Sequence, residues 1–287
     1  MNQGPRHFRE YHEPALARNE VTHGLILNIL AQLGRGGPVE FWHWTLGGPG
    51  QCAVKMGQHS IVLGALDEIH CRQLADLIQK IDYPGVIGPD LTARWFADRA
   101  VELGLMFLDP EPQQIYSLSN RPRYPGAAGV ARAVNTGDLT IFTDWMTAFQ
   151  REAVPDDPLL AVEELVEMTG KGDYLFWVDN GRPVSMAGIV RRLKTSAAIT
   201  GVYTPPEFRG RGYAGSVTAA TVERIYAEGR TTACLYADLR NPFSNRCYAK
   251  IGFTPICASR RATATTTMRI PTRTSSATPS PRGATRT

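Results

Sequence analysis

The sequence predicts an α/β protein built on a mixed sheet. Short β-prone runs alternate with longer stretches of helical character along most of the 287 residues, and Gly/Pro/Asn signals separate them. The sharpest signal is Val202-Tyr-Thr-Pro-Pro-Glu-Phe-Arg-Gly-Arg-Gly-Tyr-Ala214, where a β-prone run gives way to a glycine-rich turn and a helix start. Such a turn is an anion site: several backbone N–H groups converge and the helix dipole adds positive potential. Glycine suits it because a Cβ would hold a phosphate away from the backbone.

Composition bounds the rest. The chain is long enough for about two domains, and 43% hydrophobic residues supply apolar material for their cores. No apolar run reaches the ~18 residues of a membrane span, and the N-terminus lacks a signal peptide's apolar core, so a cytoplasmic protein with no membrane partner is expected. Five scattered cysteines without a CxxC pair read as free thiols, with no disulfide framework and no metal site. Residues 258–287 hold six arginines and no acid, leaving 25 basic and 27 acidic side chains elsewhere. The body is therefore not basic, and nothing points to nucleic acid.

In chain order, helical character covers Pro14–Gly34. Alternating runs follow at Glu40–Trp44, Gln51–Met56 and Ser60–Leu63, then a helix over Leu66–Ile81, a strand at Gly85–Ile87 and a helix over Leu91–Leu105. Arg121-Pro-Arg-Tyr-Pro-Gly126 reads as a linker. Beyond it come a strand (Val130–Val134), helices over Gly137–Arg151 and Pro158–Met168, and strands at Tyr174–Val178, Val184–Arg192 and Ala197–Thr204. Asp179-Asn180-Gly181 marks a hairpin. A helix over Gly215–Gly229 and a strand over Thr232–Leu239 complete the pattern. The tail from Ala258, with nine threonines and six arginines, cannot bury enough apolar surface to fold and is expected to be disordered.

Two nucleotide readings of the glycine turn fail on context. Gly210-x-Gly212-x-x-Gly215 formally matches the dinucleotide fingerprint with Asp238 near the ribose position. However, Pro-Pro-Glu-Phe-Arg separates the strand from the first glycine, and too little chain follows to complete a doubly wound sheet. A phosphate-loop Gly-Lys-Ser/Thr is missing.

A third reading is a coenzyme A site. Arg209-x-x-Gly212-x-Ala214 resembles the acetyl-CoA motif Q/R-x-x-G-x-G/A of the GNAT family of N-acetyltransferases. Asn241-Pro-Phe-Ser-Asn245-Arg-Cys-Tyr248-Ala-Lys-Ile-Gly252-Phe253 resembles that family's second signature, N-x-x-S-N-x-x-Y-x-x-x-G-F, in the right order and at the right spacing. The resemblance covers residues 129–257. It implies an acyl-CoA N-acyltransferase-like fold, with residues 1–127 a diverged second unit or accessory α/β domain, 128–257 the catalytic domain and 258–287 a basic tail. The tail departs from the family, whose chains return through a last apolar strand after Gly-Phe, and it reads as a shifted frame or an acquired terminus.

The resemblance also assigns roles. Val202, Tyr203 and Thr204 would pair with the pantetheine arm of acetyl-CoA. Arg209, Gly210, Arg211, Gly212, Tyr213, Ala214 and Gly215 would hold the pyrophosphate, Asn241 or Asn245 would bond the pantetheine, and Tyr248 would protonate the leaving thiolate. The implied reaction is acetyl transfer to a primary amine of a small molecule or peptide, by a monomer or homodimer and without a metal. The alternative is an acyl-CoA-binding sensor or pseudoenzyme. All six histidines lie in the first 70 residues, so proton chemistry in the C-terminal half must use carboxylates, tyrosine or water. The strand ending at Thr204 lacks the glutamate base of many relatives, which leaves Asp238, Glu152 or water. Phe142, Trp145 and Phe149 form a helix stripe that reads as core, with Trp145 a secondary candidate for the acceptor pocket.

Overall fold

The computed structural model describes residues 4–33, 40–155 and 159–265. Helices α1 (Pro5–Leu16) and α2 (Glu20–Leu33) open the chain. Strands β1 (Phe41–Thr45), β2 (Cys52–Met56) and β3 (Ile61–Leu63) follow, then α3 (Glu68–Leu77), β4 (Gly85–Pro89), α4 (Asp90–Glu102) and β5 (Glu111–Leu118). The second half runs β6 (Val130–Ala133), α5 (Leu139–Ala153), α6 (Val162–Lys171), β7 (Tyr174–Asp179), β8 (Arg182–Val190) and β9 (Ser196–Tyr203). It ends with α7 (Tyr213–Ala227), β10 (Thr232–Asp238), α8 (Pro242–Ile251) and β11 (Thr254–Thr263).

All eleven strands form one sheet in the order β1-β2-β3-β4-β11-β5-β10-β9-β8-β7-β6. Matching β1–β5 with β7–β11 makes the order read alike from both ends, β6 apart. The pairing senses agree: β3 with β4 and β9 with β10 are parallel, and the other pairs are antiparallel. At the centre the halves exchange strands. β5 of the first half lies against β10 of the second, and β11 of the second lies against β4 of the first. The two exchanged strands pair with each other.

Helices cover both faces. Strand residues of alternate parity divide between two sets of cores, as period-two geometry requires. On one face α3 and α4 pack on Ala53, Ile61, Leu63, Val86 and Ala262, while α7 and α8 pack on Leu118, Ala187, Ile199, Ala233 and Leu235. On the other, α1 and α2 cover Cys52, Val54 and Val62, and α5 and α6 cover Tyr174, Phe176 and Met186. α7 is buried for most of its length, and several of its buried residues are small: Gly215, Ser216, Ala219 and Ala220. Thr218 and Thr221 return their hydroxyls to the carbonyls of Ala214 and Val217.

The structure corrects two expectations. The segment 258–263, expected to be disordered, is the second half of β11. Its backbone pairs with β4 from Ser259 to Thr263 and with β5 through Arg261, and Ala264 bridges to Phe107. Ser259 and Ala262 are buried, and the Arg260 guanidinium is neutralised by Asp90 at 2.7 Å. The rest of the expected disordered tail, from 266 on, lies outside the described residues. β5, whose sequence Glu-Pro-Gln-Gln-Ile-Tyr-Ser-Leu carries no apolar alternation, was not anticipated, yet it stands at the centre of the sheet. The segment read as a linker connects the halves as a strap tied by hydrogen bonds. Arg123 N–H donates to the Ile251 carbonyl (2.8 Å), the Tyr124 hydroxyl donates to Glu223 (2.8 Å), and Trp177 Nε1–H donates to the Ala128 carbonyl (2.8 Å).

Candidate functional site

The site grows from one strand that parts from its neighbour. β9 and β10 pair in parallel only at Ser196–Ala198 and Thr232–Cys234. From Ile199 to Tyr203 on one side and Leu235 to Asp238 on the other, no ladder joins them, so a wedge opens toward their C-terminal ends. Backbone N–H and C=O groups along those facing edges have no strand partner and can receive an extended ligand. A β-bulge sharpens the opening: Met186 pairs with Tyr203 but Gly188 with Thr200, so β9 carries one extra residue there. Gly201 takes it up at φ +60°, under the Tyr174 ring, where a Cβ would come within 2.8 Å of that ring. A lone glycine inside a β-prone run is the sequence signal for such a bulge, but Ala197–Thr204 reads in sequence as one plain strand.

Val202, Tyr203 and Thr204 line the end of the strand, half-buried, buried and half-buried in turn. The Ser185 hydroxyl donates to the Tyr203 carbonyl at 2.9 Å and lies 2.8 Å from the Thr204 hydroxyl, which fixes the strand end from the β8 side. A single 3-10 turn at Pro206–Phe208 then leads into Arg209.

The glycine turn has the geometry an anion needs. Gly210 and Gly212 sit at φ +78° and +84°, and Gly212 caps α7 without any side-chain cap bond. The Tyr213, Ala214 and Gly215 amides occupy the first helical positions, where no intrahelical acceptor exists. The buried hydroxyl of Ser216, one turn into the helix, has no hydrogen-bond partner among the described residues. An uncapped helix start with an orphaned hydroxyl beside it fits a pyrophosphate. Arg209 donates Nε–H to the Thr204 carbonyl at 2.9 Å and pairs with Glu152 at 2.7 Å, so its charge is largely spent locally. Arg211 is exposed and has no carboxylate ion-pair partner among the described residues. Tyr213 is buried, its hydroxyl donating to Asp179 at 2.6 Å, so its phenol ties the turn to the β7–β8 hairpin and only its amide faces the helix start. Behind the turn, Pro125 of the strap packs so closely that a Cβ on Gly215 would collide with it.

The corresponding turn of the first half is chemically opposite. After β3, Asp67 caps α3 by accepting the His70 N–H at 2.9 Å, and Glu68 follows in the first turn. Carboxylates already occupy that positive helix end, so it repels a phosphate.

The second motif forms α8. Asn241 is its N-cap, its side chain accepting from Phe243 and Ser244 N–H at 3.2 Å each. Asn245 donates to the carbonyls of Asp238 (2.9 Å) and Asn241 (2.7 Å) and accepts from the Tyr116 hydroxyl (3.0 Å). Both amides, expected to meet pantetheine, thus have protein partners, and they lock α8 to the end of β10. Gly252 ends the helix in the left-handed region at φ +117°.

Tyr248 lies on the buried face of α8, its ring 6.4 Å from Tyr116 and 6.0 Å from Phe253. Burial, with a smaller contribution from the Cys247 thiol, raises its phenol above the ordinary value. A phenol is protonated at neutral pH without any shift, and the upward shift makes this one a weaker acid, so only a strong base such as a thiolate could take its proton. The two carboxylate candidates for a base are both ion-paired: Glu152 with Arg209 at 2.7 Å, and Asp238 with Arg240 at 3.0 Å. Trp145 is half-buried, its ring 5.1 Å from Phe176 and 6.3 Å from Tyr203, at the border between core and wedge. No group of three or more metal-ligating side chains occurs among the described residues, and none of their helices is long and apolar enough to cross a membrane.

Comparisons with known proteins bear on this geometry. A family model described as FR47-like protein matches residues 178–262. Curated proteins give no match. Among solved structures, a Drosophila protein is similar over 92% of this chain and 97% of its own, with a TM-score of 0.66 at 12% identity. A GCN5-related N-acetyltransferase from Kribbella flavida gives 0.56 at 16% identity, over 82% of this chain and 92% of its own. A GNAT-family acetyltransferase from Colwellia psychrerythraea gives 0.52 at 12%, over 77% and 84%. At such identities the structures speak to the fold. With the motif geometry and the family match, they make residues 178–262, from the β7–β8 hairpin to β11, an FR47-like segment of the GNAT type within a GNAT-like α/β fold.

Proposed function

We propose that this chain is an acyl-CoA-dependent N-acetyltransferase that moves an acetyl group to a primary amine of a small molecule or peptide. The observation that carries the reading is the wedge between β9 and β10, with the uncapped α7 terminus and its two left-handed glycines at its mouth. An extended arm ending in a pyrophosphate suits that pairing of an open strand edge with an anion site.

Acetyl-CoA supplies the thioester; this chain's residues bind, orient and move protons. The open edge of β9 at Val202–Thr204 accepts the arm by main-chain pairing, and its amides polarise the carbonyl. The amides at Gly210–Gly215, with Arg211 beside them, hold the pyrophosphate. A neutral amine attacks the carbonyl, its proton leaving to water, because both nearby carboxylates are held in arginine pairs. Tyr248, a phenol protonated at neutral pH, donates its proton to the departing thiolate.

Release of free thiol from acetyl-CoA across a panel of small and peptide amines tests the reading directly. A second reading, a coenzyme-binding sensor without turnover, draws on the ion-paired carboxylates. Tight acetyl-CoA binding by calorimetry with no thiol release from any amine would select it. Protection against heat unfolding by NAD and not by CoA would overturn both.

A further inference from the structure

The strand exchange brings a residue of the first half into the second half's site. β5 runs antiparallel to β10 with Tyr116 opposite Leu235, on the face covered by α7 and α8. We propose that Tyr116 is a positioning residue for Tyr248, so that the N-terminal half completes the catalytic wedge. This rests on the acetyltransferase reading above.

Tyr116 holds α8 at two points. Its hydroxyl donates to Asn245 Oδ1 at 3.0 Å, and its ring lies 6.4 Å from the Tyr248 ring at 52°. Asn245 and Tyr248 are three residues apart and share a helix face. The Asn245 amide nitrogen has both its hydrogens engaged, by the Asp238 and Asn241 carbonyls, so its oxygen is fixed toward Tyr116. Asp238 is the last residue of β10, at the mouth of the wedge, and Asn241 caps α8. One hydroxyl from residue 116 therefore closes a network spanning the β10 end, the α8 cap and the residue one turn before the phenol.

A phenylalanine at 116 keeps the ring contact and removes the bond, leaving Asn245 Oδ1 short of its donor. We expect Tyr116→Phe to lower kcat by about 10-fold, as loss of a positioning bond does, with acetyl-CoA affinity by calorimetry within about 2-fold of the parent. Amides of the first turn of α8 should exchange faster. In a Tyr248→Phe background the same change should lower kcat by less than about 2-fold, because the group it positions has gone. Equal losses in both backgrounds would show a general structural effect and overturn the proposal, as would parental kcat with unaltered exchange in α8. If the parent itself releases no thiol, the acetyltransferase reading fails separately. Unchanged exchange in α8 of Tyr116→Phe would then still refute the positioning role.

Discussion

Two residues carry most of the chemistry proposed here. Tyr248 is buried and flanked by Tyr116 and Phe253. Tyr248→Phe should lower kcat by about 10²–10⁴-fold, the usual span for a general acid, with little change in acetyl-CoA affinity. Steady-state thiol release and calorimetry check both halves of that statement, and a parental kcat would make Tyr248 a packing residue. Gly212 is the second. At φ +84° it turns the backbone so that the α7 amides face outward without a capping side chain. Gly212→Val adds strain of about 1–3 kcal/mol in the left-handed region and places a branched side chain near Pro125 and Ala127, whose Cβ atoms lie 3.4 and 3.5 Å from a Cβ there. Acetyl-CoA affinity should fall by several kcal/mol, alongside a thermal midpoint lowered by a few degrees. An unchanged dissociation constant in the folded variant would remove the turn from the site.

At the scale of elements, α1 joins β1 and the turn after it through a buried histidine. The Gly50 N–H donates to His12 Nδ1 at 3.0 Å, so Nε2 carries the proton and donates to Thr45 Oγ1 at 2.8 Å. Burial, with a smaller push from His43, lowers the His12 pKa to about 4. A proton on Nδ1 would also face the Gly50 donor. The unfolded chain binds that proton near pH 6.5 and the folded chain only near 4. The stabilisation is therefore complete above about pH 6.5 and is lost as the pH falls toward 4, by on the order of 2–3 kcal/mol. Urea midpoints from pH 7.5 to 4.5 should decline accordingly, and His12→Gln should flatten the decline; an equal slope in the variant would place the titration elsewhere. β11 is the other decisive element. Ending the chain after Cys257 removes the pairing with β4 and most of that with β5. The thermal midpoint should drop by at least about 10 °C, and a shift within a few degrees would mean that the strand contributes little.

The whole molecule is held by exchange at its centre. Among the described residues, neither half contains a complete sheet: 1–127 lack the strand that separates β4 from β5, and the second half lacks the strand that separates β10 from β11. Each half alone would expose open edges on both sides of a gap. Expressed separately, 1–127 and 128–287 should lack a cooperative thermal transition, and together they should recover one, with a near-ultraviolet signal like that of the intact chain. Two independently cooperative fragments would refute interdependence. A glutamate at the first half reinforces the junction: Glu20 Oε2 accepts from the backbone amides and hydroxyls of Thr195 and Ser196, at 2.9–3.0 Å, where β9 begins.

By itself the sequence determined the parts whose signals are local. The strand–turn–helix at 202–215 was legible because left-handed positions favour glycine and an uncapped helix start favours anions. The order of elements from Val130 to Asp238 was legible because their apolar periodicity reports burial under helices of the same half. Tertiary structure alone decided the middle of the sheet. Glu111–Leu118 and Thr254–Thr263 look polar or basic because their stability comes from two backbone ladders each, supplied by residues far away in the chain, and from Arg260 meeting Asp90 across 170 positions. Hydrogen bonding of the main chain leaves no mark in side-chain composition, so a strand stabilised mainly by its neighbours reads as disorder. The same holds for Asn245 and Tyr116, whose pairing spans 129 residues. The motif marked the helix that bears Tyr248; only the folded chain shows what holds that helix in place.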